Sequence, residues 1–233
     1  MYRFIALIIG YSIGCIQTAY IIGRINGIDI RDHGSKNAGM TNVTRTLGKK
    51  AGAFVFVVDI LKAAVAFGLA TWIYMGSSWL IPYREAYVWI SNPNLVQAYN
   101  FPGVYAVLPG LYAAIGAVLG HCFPVILKFR GGKGVSCAIG LILMFDWRVA
   151  LISYAMGFIA VCATRYISLA SLVITLSAAI ATAIFAALSL HSVESVALMF
   201  GLAVLIWFLH RENIGRIVTG KERKFLEKKD RLP

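Results

Sequence analysis

The sequence predicts an all-α, polytopic integral membrane protein: one bundle of seven transmembrane helices, N-terminus outside and C-terminus cytoplasmic. Three observations predict it. Of 233 residues, 59% are hydrophobic and 14% charged, with a mean hydropathy of +0.76, far too apolar for a soluble domain. The apolar residues fall into runs near the roughly 20 that a bilayer crossing needs. Lysine and arginine are distributed unevenly between those runs, which sets the sidedness.

The first run, 4–23, follows a single basic residue, Arg3. Gly14 and Cys15 faintly resemble a lipoprotein signal, but Ser12 stands where that signal needs an aliphatic residue and the run continues long enough to span. The second run, 51–75, contains Asp59 and Lys62, three apart on one helix face. An unpaired charge at mid-membrane costs roughly 2.5–3.5 kcal/mol, so the two are expected to pair, or to face the bundle interior as a support for a site.

Further runs cover 104–127, 135–145, 149–163, 169–190 and 193–209. The fourth and fifth are short, so they are extended by their flanks, tilted, or paired as a re-entrant hairpin. Losing both would leave the sidedness downstream unchanged. With the N-terminus outside, inner segments 24–50, 121–134, 164–168 and 210–233 hold 18 of the 22 basic residues. The loop 76–103 then lies outside; Trp79, Tyr83, Tyr87, Trp89, Tyr99 and Phe101 suit an interfacial position, and it is assigned no chemistry.

The net charge of +12 does not imply nucleic acid, because the basic residues lie between apolar runs and at the C-terminus rather than on a soluble face. Cys15, Cys122, Cys137 and Cys162 have neither C-x-x-C spacing nor extramembrane partners, so they read as core residues. No repeat or linker divides the chain, and 1–233 is read as a single domain.

Three polar clusters carry the chemistry. In HCFPVILKFRGGKGV, 121–135, the residues Gly131, Gly132, Lys133 and Gly134 make a flexible cationic turn before a helix start at Val135. Glycines let backbone N–H groups approach a ligand, and a helix N-terminus favours an anion, with phosphate the natural guest. The Walker loop is excluded, since its first glycine and its Ser/Thr would fall at Leu127 and Gly134. A plain basic loop obeying the positive-inside rule explains the same letters equally well.

GSKNAGMTNVTRTLG, 34–48, offers short donors in Ser35, Asn37, Thr41 and Asn42, charge in Lys36 and Arg45, and tight turns at Gly34 and Gly39. Arginine can bind phosphate through two parallel hydrogen bonds. A solvated loop rich in turn formers is the competing reading. In HRENIGRIVTGKERKF, from position 210, a helix would present His210 and Asn213 to one side. Taken singly, a histidine at a helix end is more often a cap or an interface residue than a base.

The topology count places all three clusters on one side, which turns separate loops into one site. That site is rich in phosphate-binding groups and has no carboxylate cluster for a divalent ion, so neither metal nor cofactor is expected.

With these motifs, GSKNAGMTNVTRTLG, GHCFPVILKFRGGKGV and HRENIGRIVTGKE in order and spacing, the chain resembles the bacterial membrane acyl-phosphate:glycerol-3-phosphate acyltransferases over essentially its whole length. The resemblance implies transfer of a fatty acyl group from acyl phosphate to the sn-1 hydroxyl of glycerol 3-phosphate, giving lysophosphatidic acid and phosphate. It would be the first membrane step of phospholipid synthesis. It implies a multi-pass place in the bacterial inner membrane, with a cytoplasmic active site. The bilayer, acyl phosphate and glycerol 3-phosphate are its partners, and the soluble enzyme that makes acyl phosphate is a candidate partner for the basic inner face.

By motif position, Ser35, Arg45, Lys133, His210 and Asn213 fall where that family has functional residues. Ser171, in TRYISLAS, matches a further phosphate-contacting serine, and Glu222 the acidic position closing the third motif. Ala38 stands where many members have proline, Cys137 replaces a frequent threonine, and the outer loop looks longer than usual. In this reading Lys133 and Arg45, with Ser35 and the backbone of Gly131–Gly134, hold the phosphates. His210 and Asn213 orient the attacking hydroxyl or the phosphate of glycerol 3-phosphate. Either His210 or a substrate phosphate takes the proton.

Rivals fare worse on the letters. The H-x-x-x-x-D acyltransferase pattern fails, because Ala38, Ile126, Val196 and Gly215 stand five residues after the four histidines. A transporter of phosphate or phosphorylated metabolites would favour midplane sites within repeated halves, which these motifs lack.

Overall fold

The structure is a computed structural model that describes residues 1–76 and 107–225. Every regular element among them is helical. In chain order these are α1 (Tyr2–Gly14), α2 (Thr18–Ile25), α3 (Met40–Leu47), α4 (Lys49–Gly76), α5 (Val107–Cys122), α6 (Val135–Phe145), α7 (Trp147–Thr164), α8 (Ile167–Ala187), α9 (Val193–Leu209) and α10 (Arg211–Val218), with 3-10 turns at Ile30–Asp32 and Val125–Leu127. Positions 77–103 of the expected outer loop, with its aromatic residues, and the first three residues of the third run lie outside the described residues.

Five described elements are long and apolar enough to cross a membrane: Tyr2–Ile25, Lys49–Tyr74, Val107–Leu127, Trp147–Thr164 and Ile167–Ala187. The pair α9 and α10, bent by 64°, supplies a sixth when taken together. Seven were expected, and the difference is α6. Its 11 residues reach only about 16 Å at 1.5 Å per residue, half a hydrocarbon core. Much of α6 is packed inside: Cys137, Ala138, Gly140, Leu141, Ile142 and Phe145 are buried, a Cβ on Gly140 would come within 2.3 Å of the Ile60 carbonyl of α4, and Leu143 and Met144 are exposed. The fifth run is longer than it reads, because Asp146 caps it by accepting from the Arg148 amide at 2.8 Å, starting α7 at Trp147.

The bundle is keyed by α1 against α5. Each helix has two glycines four apart on the shared face, and each would drive a side chain into the other's backbone. A Cβ on Gly10 would lie 1.7 Å from the Ala113 carbonyl, and one on Gly14 2.2 Å from Ala117. Reciprocally, Gly116 faces the Leu7 carbonyl and Gly120 the Tyr11 carbonyl, both at 2.2 Å. Lipid offers no hydrophobic drive for helix pairing, so close backbone approach over small residues supplies the packing. The interface runs down α5 to Gly120 and His121, where the glycine turn is anchored.

Candidate active site

The glycine turn hangs from the end of α5. Gly131 N–H donates to the Cys122 carbonyl at 3.2 Å and Gly132 N–H to the His121 carbonyl at 3.0 Å. These two amides, expected to face a phosphate, are committed to the fold. The glycines are needed for closeness instead: a Cβ on Gly132 would lie 2.0 Å from His121 Nε2 and 2.7 Å from the Ala38 carbonyl. Gly134, at φ +78°, turns the chain into α6. The first helical bond of α6 is Ala138 N–H to the Gly134 carbonyl, 2.8 Å, so the amides of Val135, Ser136 and Cys137 precede the ladder and form the anion-favouring end.

Lys133, within this turn, donates from Nζ to Asn213 Oδ1 on α10. Asn213 Nδ2 donates in turn to Glu222 Oε1 at 2.7 Å. The same Glu222 oxygen accepts from Ser168 Oγ at 2.8 Å, and Oε2 accepts from Arg216 Nε at 2.7 Å. The second and third clusters and the start of α8 are therefore one network. Burial pulls the Lys133 ammonium below the ordinary lysine range, with Arg216 adding to it, so it is under-solvated and suited to an anion. Burial alone would raise the Glu222 carboxyl, but hydrogen bonds from Asn213, Ser168 and Arg216 outweigh it and hold the group low.

His210 sits buried at the junction of α9 and α10. A carbonyl can only accept, so its Nδ1–H donates to Ile206 O at 2.8 Å and Nε2 holds the lone pair of the neutral ring. Burial first, and then Lys133, push its pKa down to about 4.

The first cluster divides by role. Asn42 is fully buried: Oδ1 accepts from the Ser35 amide at 2.8 Å, and Nδ2 donates to the Ile30 and His33 carbonyls at 3.0 Å each. An amide so committed shapes the loop, and the expectation that Asn42 binds substrate is corrected accordingly. Gly39 stands at the start of α3 in extended backbone, where Thr41 follows in the first turn and Arg45 comes in the last. Ser35 is exposed, and Asn37, Thr41 and Arg45 are half-buried. The buried Ala38 brings this loop against Gly132, so the first cluster meets the second.

Ser171, in the first turns of α8, donates from Oγ to the Ile167 carbonyl at 2.9 Å; Ser168, three residues earlier, is the serine that enters the network. Sequence reasoning missed Ser168 and Arg216. The spacing of Ser168 and Ser171, one helical turn apart, was the available signal. Asp59 and Lys62 pair as expected, Oδ1 to Nζ 2.9 Å, both buried. Among the described residues one group, Asp59, His121 and Cys137, has ligand atoms close enough for a metal, within 4.8 Å. The Lys62 ammonium lies 2.9 Å from both Asp59 Oδ1 and His121 Nδ1 and already supplies the positive charge there.

Comparison with known proteins points one way. The family described as Glycerol-3-phosphate acyltransferase matches residues 4–220. A glycerol-3-phosphate acyltransferase of Thermoanaerobacter sp. (strain X514) is 35% identical over 229 residues, 98% of each chain. One of Clostridioides difficile (strain 630) is 36% identical over 227 residues, 97% of each. The crystal structure of PlsY (YgiH), an integral membrane glycerol 3-phosphate acyltransferase in its glycerol 3-phosphate form, superposes with a TM-score of 0.74 at 32% identity, covering 97% of this chain and 96% of that one. The lysophosphatidic acid form gives 0.72 at 31%, covering 99% and 98%.

Proposed function

This chain belongs to the glycerol-3-phosphate acyltransferase family, and from that premise we propose the reaction in full: an acyl phosphate gives its fatty acyl group to the sn-1 hydroxyl of glycerol 3-phosphate. The hydroxyl oxygen bonds to the acyl carbon, the acyl carbon–oxygen bond to phosphate breaks, and lysophosphatidic acid and inorganic phosphate leave. This is the first membrane step of phospholipid synthesis. The observation that carries the reading is the Lys133–Asn213–Glu222 network, which closes distant segments around one ammonium.

Acyl phosphate is a mixed anhydride whose leaving group needs little protonation, so the work is to place two anions and stabilise developing charge. Lys133, Arg45, Ser35 and the first amides of α6 hold the phosphates. Asn37, Gly39, Thr41 and Ser171 shape the same surface, and Gly131, Gly132 and Gly134 keep the turn close-packed. His210 and Asn213 orient the acceptor. Burial and the Lys133 charge lower the basicity of the His210 imidazole, which favours a substrate phosphate as the group that takes the proton, while His210 directs the hydroxyl through Nε2.

Residues 1–233 form one acyltransferase domain in the bacterial inner membrane, the N-terminus outside and the C-terminus cytoplasmic, a sidedness that counts the short α6 with its flanking residues as the seventh crossing. Its site faces the cytoplasm. The distribution of basic residues supports that sidedness. Lys36, Lys49, Lys50, Lys128 and Lys221, exposed on the same side, suit docking of the soluble enzyme that makes acyl phosphate. Purified protein in detergent, given acyl phosphate and glycerol 3-phosphate, should release phosphate and lysophosphatidic acid in equal amounts. Flux of phosphorylated solute into sealed vesicles without that release would favour a transporter instead.

A further inference from the structure

Beneath the glycine turn lies a buried polar group that the chemistry above does not use. An ammonium has three N–H donors and no acceptor, and Lys62 ties three segments together. It donates to the Ile16 carbonyl at 3.0 Å and to His121 Nδ1 at 2.9 Å at the end of α5, and forms an ion pair with Asp59 Oδ1 at 2.9 Å within α4. The Ile16 carbonyl is free because the helix breaks between Gly14 and Thr18. Asp59 Oδ1 also accepts from Thr18 Oγ1 of α2 at 3.1 Å. Asp59, Lys62 and His121 are 1%, 6% and 3% exposed.

Such a cluster is weak as a stabiliser, since a buried ion pair roughly breaks even against apolar residues of similar volume, and its value lies in fixing geometry. What it fixes here is His121. Because Nδ1 accepts from the ammonium, the neutral ring carries its proton on Nε2, and that edge lies against the Cα of Gly132. The His121 carbonyl accepts from Gly132 N–H at 3.0 Å and from Gln17 Nε2 at 3.0 Å. Ring and carbonyl together grip the residue that precedes Lys133.

We infer that His121, locked by the Lys62–Asp59 pair, is a positioning residue that sets the glycine turn and so the placement of Lys133 against substrate phosphate. The inference rests on the acyl transfer proposed above and adds to it three residues that touch no substrate. Turning the imidazole would let Gly132 and Lys133 shift together, and displacement by about 1 Å costs on the order of 100-fold in rate.

The test is steady-state phosphate release by the purified full chain, with each substrate varied in turn and thermal midpoints measured alongside. His121→Leu, and as a second variant His121→Gln, remove the acceptor at the Nδ1 position. Both should raise a substrate KM by about 10- to 100-fold, and because each leaves a buried Lys62 N–H without its acceptor, their midpoints should fall by several degrees as well. His121→Asn, whose Oδ1 reproduces the Nδ1 acceptor, should stay within about fivefold, the scale of one hydrogen bond. Unchanged KM values in the Leu and Gln variants, lowered midpoints with KM unaltered, or an Asn variant as impaired as the Leu variant would each overturn the positioning role. A parent enzyme that releases no phosphate would overturn the reaction itself, and this inference with it.

Discussion

Lys133 and Asn213, 80 positions apart in sequence, meet side chain to side chain, the ammonium donating to the amide oxygen. The amide's other end is held by Glu222, so the lysine is aimed by a carboxylate it does not touch.

Lys133→Met keeps the length of the side chain and removes its charge. Turnover should fall by about 1,000-fold or more, above the loss from one neutral oxyanion donor, while helical circular dichroism stays unchanged. A folded variant with a near-normal rate would remove the central assignment.

His210→Ala separates orientation from proton transfer. A general base is worth roughly 100- to 10,000-fold, whereas an orienting acceptor should cost about tenfold. The low-pH limb of kcat should persist in the variant at the parent's position, because a substrate phosphate rather than the imidazole titrates there. A limb that disappears would make His210 the base.

Stability should fall as pH drops. The folded His210 pKa is depressed to about 4 by burial while an unfolded histidine titrates near 6.5, so the unfolded chain takes up the proton first. The stability this group contributes is whole above about 6.5 and is lost between there and about 4. Glu222, held low by its donors, adds a loss of the same sign at and below its ordinary range. Thermal midpoints from pH 7.5 to 4.5 should decline, and less steeply in His210→Gln; an identical slope would refute this assignment.

Glu222→Gln replaces one of two accepting oxygens with a donor facing Ser168, Asn213 or Arg216. The cost should be roughly 1–3 kcal/mol, visible as a lower thermal midpoint, and activity should fall with it because Asn213 loses its anchor.

Gly116→Ala should destabilise by roughly 1–3 kcal/mol, since its Cβ would meet the Leu7 carbonyl at 2.2 Å. Gly201→Ala, in α9 with nothing within 4 Å, is the control and should be neutral or slightly stabilising. Equal effects would disprove the glycine interlock.

Hydropathy and charge made the helical membrane class readable, because a bilayer imposes its demand on every residue of a crossing. The same measure says less about α6, which buries Cys137, Ala138, Gly140, Leu141, Ile142 and Phe145 in protein and leaves Leu143 and Met144 exposed; hydropathy does not distinguish the two solvents. The juxtaposition of Lys133 with Asn213 followed from sidedness, but Ser168 did not, since a serine near a helix start reads equally as a cap. The amides of Gly131 and Gly132 were misread for a related reason. Glycine signals proximity, and the letters do not say whether the neighbour is a ligand or, as here, the end of α5. Asn42 likewise has the chemistry of a ligand-binding amide and is used to tie a loop.

The glycine-to-glycine seam between α1 and α5 stops one residue short of His121, whose carbonyl carries the turn. The placement of Lys133 thus inherits its tolerances from the joinery of two helices. A detergent that prises those two rods apart should lower activity before helical circular dichroism changes.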